Sequence, residues 1–174
     1  MRKNSAQQTL RVTQCGMLLA LMLVLGFVES RLPVPGGVPG IKLGLSNGVL
    51  IFAVYLLDIP TSYTLMLLKV LLSAMTFGNF DAFWYALAGG LLSLTLMVLV
   101  SRVKGVNIVV VSMLGGLAHN VGQVLLAMYK LHLPPQILVY MAILMVAGVV
   151  TGCATGVAAT GIIRRFQKKK KPVA

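Results

Sequence analysis

Apolar residues fall into six blocks, at about 12–28, 41–57, 61–77, 82–100, 106–129 and 137–163, separated by short polar, proline-rich or glycine-rich breaks. A helix that crosses a bilayer needs about 20 predominantly apolar residues. The pattern therefore predicts an all-α membrane protein, a six-transmembrane-helix bundle with short connections. The second block, with about fifteen apolar residues, is short for a full crossing and is expected to lean on the preceding loop or on burial in the bundle. The longest break, RLPVPGGVPG at 31–40, holds Pro33, Pro35, Gly36, Gly37, Pro39 and Gly40. Three prolines and three glycines in ten residues exclude a regular helix. Beside a membrane cavity such a loop reads as a lid, with a plain connector as the alternative. Asp58-Ile59-Pro60-Thr61 and Gly78-Asn79-Phe80-Asp81 read as turns, the first with proline near a helix start.

The first block has the basic start and apolar core of a signal peptide. It lacks a small-x-small cleavage site, and Glu29, Ser30 and Arg31 follow it directly, so it is read as a retained first span. Within it, Gly16 and Ala20 form a small-xxx-small pair of the kind that permits close helix contact.

Composition agrees with the pattern. The chain is 58% hydrophobic and only 10% charged, where a soluble domain carries about a quarter charged residues. Its formal net charge of +12 changes the picture only through its distribution. With six spans, Arg2, Lys3, Arg11, Arg102, Lys104 and the basic tail share one side, while Arg31, Lys42 and Lys130 lie on the other. The positive-inside rule then puts both termini in the cytoplasm of a bacterial inner membrane. The organisation is a basic lead at 1–11, a six-span membrane domain at 12–163 and a basic tail at 164–174. The tail could hold nucleic acid electrostatically, but contact with anionic headgroups accounts for it without a nucleic-acid partner. Cys15 and Cys153 stand alone in apolar segments and read as packing residues, with no disulfide, metal site or cofactor implied.

Candidate chemistry lies in polar residues that hydrocarbon cannot satisfy. In LGGLAHNVGQ, helical spacing puts Gly115, His119 and Gln123 on one stripe and Gly116 and Asn120 on the next. Lys69 falls near the middle of the third span, where an ammonium costs about 2.5–3.5 kcal/mol on insertion scales. Depth along the helices brings Lys69, His119, Asn120, Gln123 and Ser93 to similar levels, with the 31–40 loop above them. Each has a structural reading: Asn120 and Gln123 tying helices together, His119 satisfied in packing, Lys69 snorkelling or paired. The chain has only three acids. Asp58 is assigned to the cytoplasmic edge, and Glu29 and Asp81 to the outer one. That scarcity leaves room for an anionic ligand on Lys69. Enzyme chemistry has little support. Magnesium-held diphosphate needs clustered hard oxygen ligands, no two acids are close in sequence, and no nucleotide-binding loop, nucleophile elbow or HExxH is present.

Taken together, GIKLGLSN at 40–47, Lys69 within LLKVLLSAMTFGNF, LAGGLLS and LGGLAHNVGQ resemble the Gx transporter family, also labelled heptaprenyl diphosphate synthase component I. The resemblance covers about 18–162. It implies a six-helix fold similar to the S components of energy-coupling-factor vitamin transporters. On that analogy the loop at 31–40 is a gate, Gly16 and Ala20 dock a transmembrane coupling subunit that works with ATPases, and Asn47 joins the solute-binding residues. The family more usually resembles arginine at position 69; lysine keeps the charge and loses the bidentate fork. The function implied is capture of a small anionic or amphipathic, lipid-like solute from the outer side. The alternative is a non-catalytic membrane subunit serving prenyl, quinone or flavin-linked extracellular electron transfer.

Overall fold

The computed structural model describes residues 2–32, 42–132 and 137–170. Seven helices follow in order: α1 (Arg2–Ser30), α2 (Leu45–Gly48), α3 (Leu50–Leu56), α4 (Ile59–Thr76), α5 (Phe80–Ser101), α6 (Ile108–Leu131) and α7 (Ile137–Lys170). Among the described residues there is no strand. Among the described residues five stretches are long and apolar enough to cross a membrane: Gln7–Ser30, Ile59–Thr76, Phe80–Ser101, Ile108–Leu131 and Leu138–Arg165. The sixth segment, Leu45–Leu56, is shorter and is broken at Val49 into α2 and α3. The protein is thus an all-α, multi-pass membrane protein, and its short second block does not form a full-length crossing.

Helix starts follow local chemistry. Asp58 caps α4 by accepting from the Thr61 amide at 3.3 Å, with proline in the first turn. Asn79 caps α5 through the Ala82 amide at 2.7 Å, and Asn107 caps α6 through Val109 at 3.2 Å. Each side-chain oxygen satisfies one of the amides that a helix start leaves open. At the other extreme, α7 does not stop at its apolar limit but continues through the basic residues to Lys170.

Small residues set how close the helices come. A Cβ on Gly116 of α6 would lie 2.1 Å from the Gly148 carbonyl oxygen of α7, and one on Gly152 would lie 2.5 Å from that of Ser112. On the opposite side of α6, a Cβ on Gly89 of α5 would meet the His119 carbonyl oxygen at 2.6 Å. Backbone therefore lies against backbone through α5, α6 and α7, the close packing that lipid-embedded helices use in place of a hydrophobic drive. Half of the α6 span is buried against 17% of the α1 span, so α6 is central and α1 peripheral. The apolar core between them includes Met22, Leu50, Ile51, Met66, Leu94 and Met97.

Two ion pairs clip opposite ends of the bundle. Arg11 of α1 pairs with Asp58 and donates to the Thr61 hydroxyl at 3.2 Å. Lys130 at the end of α6 pairs with Asp81 of α5 at 2.7 Å. Gly16 and Ala20 are on the exposed side of α1, and a Cβ on Gly16 would meet nothing within 4 Å.

Candidate binding site

Glu29, on the last turn of α1, is only 2% exposed. Its carboxylate accepts from the amides of Gly44 and Leu45 and from the Ser46 hydroxyl, thereby fixing the entry to α2. Gly44 has φ of 93°, a left-handed conformation that favours glycine. A Cβ there would also come within 2.8 Å of the His119 ring. The entry segment, residues 42–44, is held from α6 as well. Gln123 accepts from the Lys42 amide at 3.0 Å and donates to the Lys42 carbonyl at 2.9 Å. One side-chain amide thus satisfies both main-chain groups of a residue in the bundle, as a strand neighbour would.

Asn47 of α2 bridges α4 and α6. Lys69 donates to Asn47 Oδ1 at 3.3 Å, and Asn47 Nδ2 lies 2.8 Å from His119 Nδ1. An ammonium can only donate. The amide oxygen therefore faces lysine and the amide nitrogen faces histidine, so Nδ1 accepts and Nε2 carries the ring hydrogen. The three residues are at most 4% exposed. Among the described residues no carboxylate comes within ion-pair distance of Lys69.

A cavity of about 10 Å³ lies between α1, α2, α4, α5 and α6, room for about one water. Lys42, Lys69, Glu29, Ser46, Ser73, His119 and Gln123 line it, with Gly26 and Ala86 supplying apolar wall. Its border carries a cation and aromatic series. Lys42 Nζ sits 5.0 Å from the Phe77 ring centroid, Phe77 packs edge-on to Phe27 at 5.8 Å, and Arg31 lies 5.0 Å over Phe27. Burial pushes the Lys42 ammonium below its ordinary value of 10.5, with the Glu29 charge opposing. At this volume the cavity is smaller than an organic solute.

Of the residues singled out in the sequence, Lys69, His119 and Gln123 line this one cavity and Asn47 joins two of them. Asn120 turns the other way: its amide donates to the Leu144 carbonyl of α7 at 2.6 Å and its oxygen accepts from Gln123 at 3.2 Å. It ties helices together. Ser93 is buried in α5, its hydroxyl without a hydrogen-bond partner, and it is absent from the lining. The gate-loop residues Pro33, Pro35, Gly36, Gly37, Pro39 and Gly40 lie outside the described residues. Sequence reasoning missed Glu29, Lys42, Ser46 and Ser73. Two clues existed: Glu29 ends an apolar block in a chain with three acids, and Lys42 and Ser46 lie within GIKLGLSN.

The model of the family described as heptaprenyl diphosphate synthase component I matches residues 18–162. No curated protein and no solved structure is significantly similar to the chain.

Proposed function

The chain belongs to the heptaprenyl diphosphate synthase component I family, and on that premise we propose that it is a non-catalytic membrane subunit that captures a small anionic or amphipathic solute from the outer side. The observation that carries this reading is a small cavity at a seam of five helices, lined by two lysines and one glutamate, where Lys69 forms no ion pair among the described residues and Lys42 Nζ rests on an aromatic ring. Buried charges are normally paired. Two ammoniums beside one carboxylate that already accepts three hydrogen bonds favour an anion between them.

The family description, a numbered component of a synthase, implies a partner component. Transport would draw its energy from a coupling subunit with ATPases, docked on the exposed Gly16 and Ala20 side of α1. The rival role, a subunit holding a prenyl or quinone lipid, differs in what comes with the protein on purification.

Mild-detergent purification followed by native mass spectrometry separates the two. Capture predicts a retained small anion that Lys69→Gln loses, together with a transmembrane partner and ATPases. Retention of a neutral quinone or polyprenyl lipid, unchanged in the variant, would overturn the reading.

A further inference from the structure

Building on the capture reading, we infer that the cavity recognises the single carboxylate of a monoanionic solute with an apolar or aromatic body, and does not recognise a phosphate or diphosphate.

Charge is the first argument. The lining contains Lys42, Lys69 and Glu29 as its formally charged groups, two positive and one negative, a balance that one monoanion neutralises. Glu29 is already engaged by two amides and a hydroxyl at the start of α2, so it anchors the chain and leaves the ammoniums to the ligand.

Donor capacity gives the same answer. Lys69 has three donor hydrogens and gives one to Asn47. Lys42 Nζ faces the Phe77 ring and has no oxygen partner among the described residues. The other polar groups are mostly committed. Ser73 donates to the Val70 carbonyl, Ser46 to Glu29, and Gln123 is taken by Lys42 and Asn120. The two ammoniums keep two and three unengaged hydrogens, enough to satisfy a carboxylate, which offers about four lone-pair sites. A phosphate dianion would exceed the neutralising charge, and a diphosphate would exceed it further.

The usual phosphate devices are also missing from the wall. Among the described residues no arginine fork lines the cavity, although that fork is the side chain best matched to phosphate. Magnesium would need hard oxygen ligands. Among the described residues no three His, Cys, Asp or Glu side chains come together, while Asp58 and Asp81 are each paired with a distant cation. Beside the lining lies an aromatic pair: Gly26, on the cavity wall, lies against Phe77, and Phe77 packs on Phe27. A ring or hydrocarbon body attached to the carboxylate would lie along that side.

The test uses the full chain in phosphatidylcholine nanodiscs and fluorine NMR titrations of 4-fluorobenzoate, 4-fluorophenyl phosphate and 4-fluorobenzamide. The benzoate should bind at least about tenfold tighter than either analogue, a difference of about 1.4 kcal/mol. Lys69→Gln should bring it down to the amide's level. Lys42→Gln, which leaves the main-chain pairing with Gln123 in place, should weaken it in the same direction and guards against a folding defect at position 69. A phosphate that binds as well as the benzoate would overturn the carboxylate inference and leave anion capture standing. An amide that binds equally well would overturn both. Binding of none of the three would overturn the carboxylate inference alone, since the retained-ligand measurement judges capture independently.

Discussion

Asn47 stands between the only ammonium buried in α4 and the only imidazole buried in α6 among the described residues, and its amide gives each a partner of the correct polarity. Asn47→Ala would strip the acceptor from Lys69 and the donor from His119 at once. Leaving buried polar groups unsatisfied costs about 1–3 kcal/mol, so the variant should show a lower thermal midpoint by scanning fluorimetry. An unchanged midpoint would mean that water replaces the amide. A few ångströms away, Lys42 makes a prediction in pH. Its ammonium is held below 10.5 by burial, so it loses its proton at a lower pH than in the unfolded chain. Two consequences follow with opposite signs. Anion affinity should fall as pH rises through the alkaline range below 10.5, because the charged form binds. Over the same window the Lys42 contribution to stability should rise, because the unfolded state holds the proton that the folded state has released. In Lys42→Arg the charge at position 42 persists, so the part of the fall that Lys42 causes should disappear; titrations in Glu29- and Lys69-intact protein at increasing pH, compared between the two proteins, read this directly.

At the scale of the helices, some glycines meet a neighbouring backbone, others a side chain, and a few meet nothing. Gly116→Ala places a methyl where the Gly148 carbonyl oxygen already is, and Gly161→Ala places one in open space. The first has no flexible side chain to yield, so α6 and α7 must separate. Overpacking of this kind costs about 1–3 kcal/mol. The second should be neutral or stabilising by about 0.5–1 kcal/mol through helix propensity. Equal midpoints for the two variants would contradict the close α6–α7 contact. The same scale explains what was readable in the sequence. Block lengths, the proline near the start of α4, and Asn79 and Asp58 at turns are local properties, and each has its counterpart in the helices. The stripe in α6 brought His119 and Gln123 to one side because a spacing of four is fixed by helix geometry. Asn120 sits only one residue from His119, yet that step turns it by about 100° toward α7. Which neighbour stands there depends on how helices pack. Glu29 was assigned to the outer edge because α1 ends there. Its burial arises from the return of residues 42–46 over it, and no periodicity within α1 encodes that return.

For the molecule as a whole, the cavity lies where two kinds of packing meet. Helices α5, α6 and α7 contact through glycine-lined backbone, while α1 leaves most of its apolar surface free and reaches the site mainly through Glu29. On the capture reading, admission of a solute would separate α1 and the residue 42–47 segment from α6 more readily than α6 from α7. The direction of opening relative to the membrane follows from charge. The cavity is lined by Lys42, on the side of the bundle with few basic residues in the sequence pattern, whereas Arg102, Lys104, Arg164 and Arg165 follow the apolar limits of the fourth and sixth blocks. On the proposed topology, in which the basic-rich end is cytoplasmic by the positive-inside rule, the sparse end faces outward. Single cysteines at Phe80 and at Lys104, in a background with Cys15 and Cys153 replaced by alanine, test this. Phe80 is exposed at the start of α5 and Lys104 is exposed just after its end, so one helix separates them. A membrane-impermeant maleimide added to intact spheroplasts should label Phe80→Cys, and should reach Lys104→Cys only after lysis. The reverse pattern would put the cavity on the cytoplasmic side and make outward capture untenable, because the solute would then enter from within the cell.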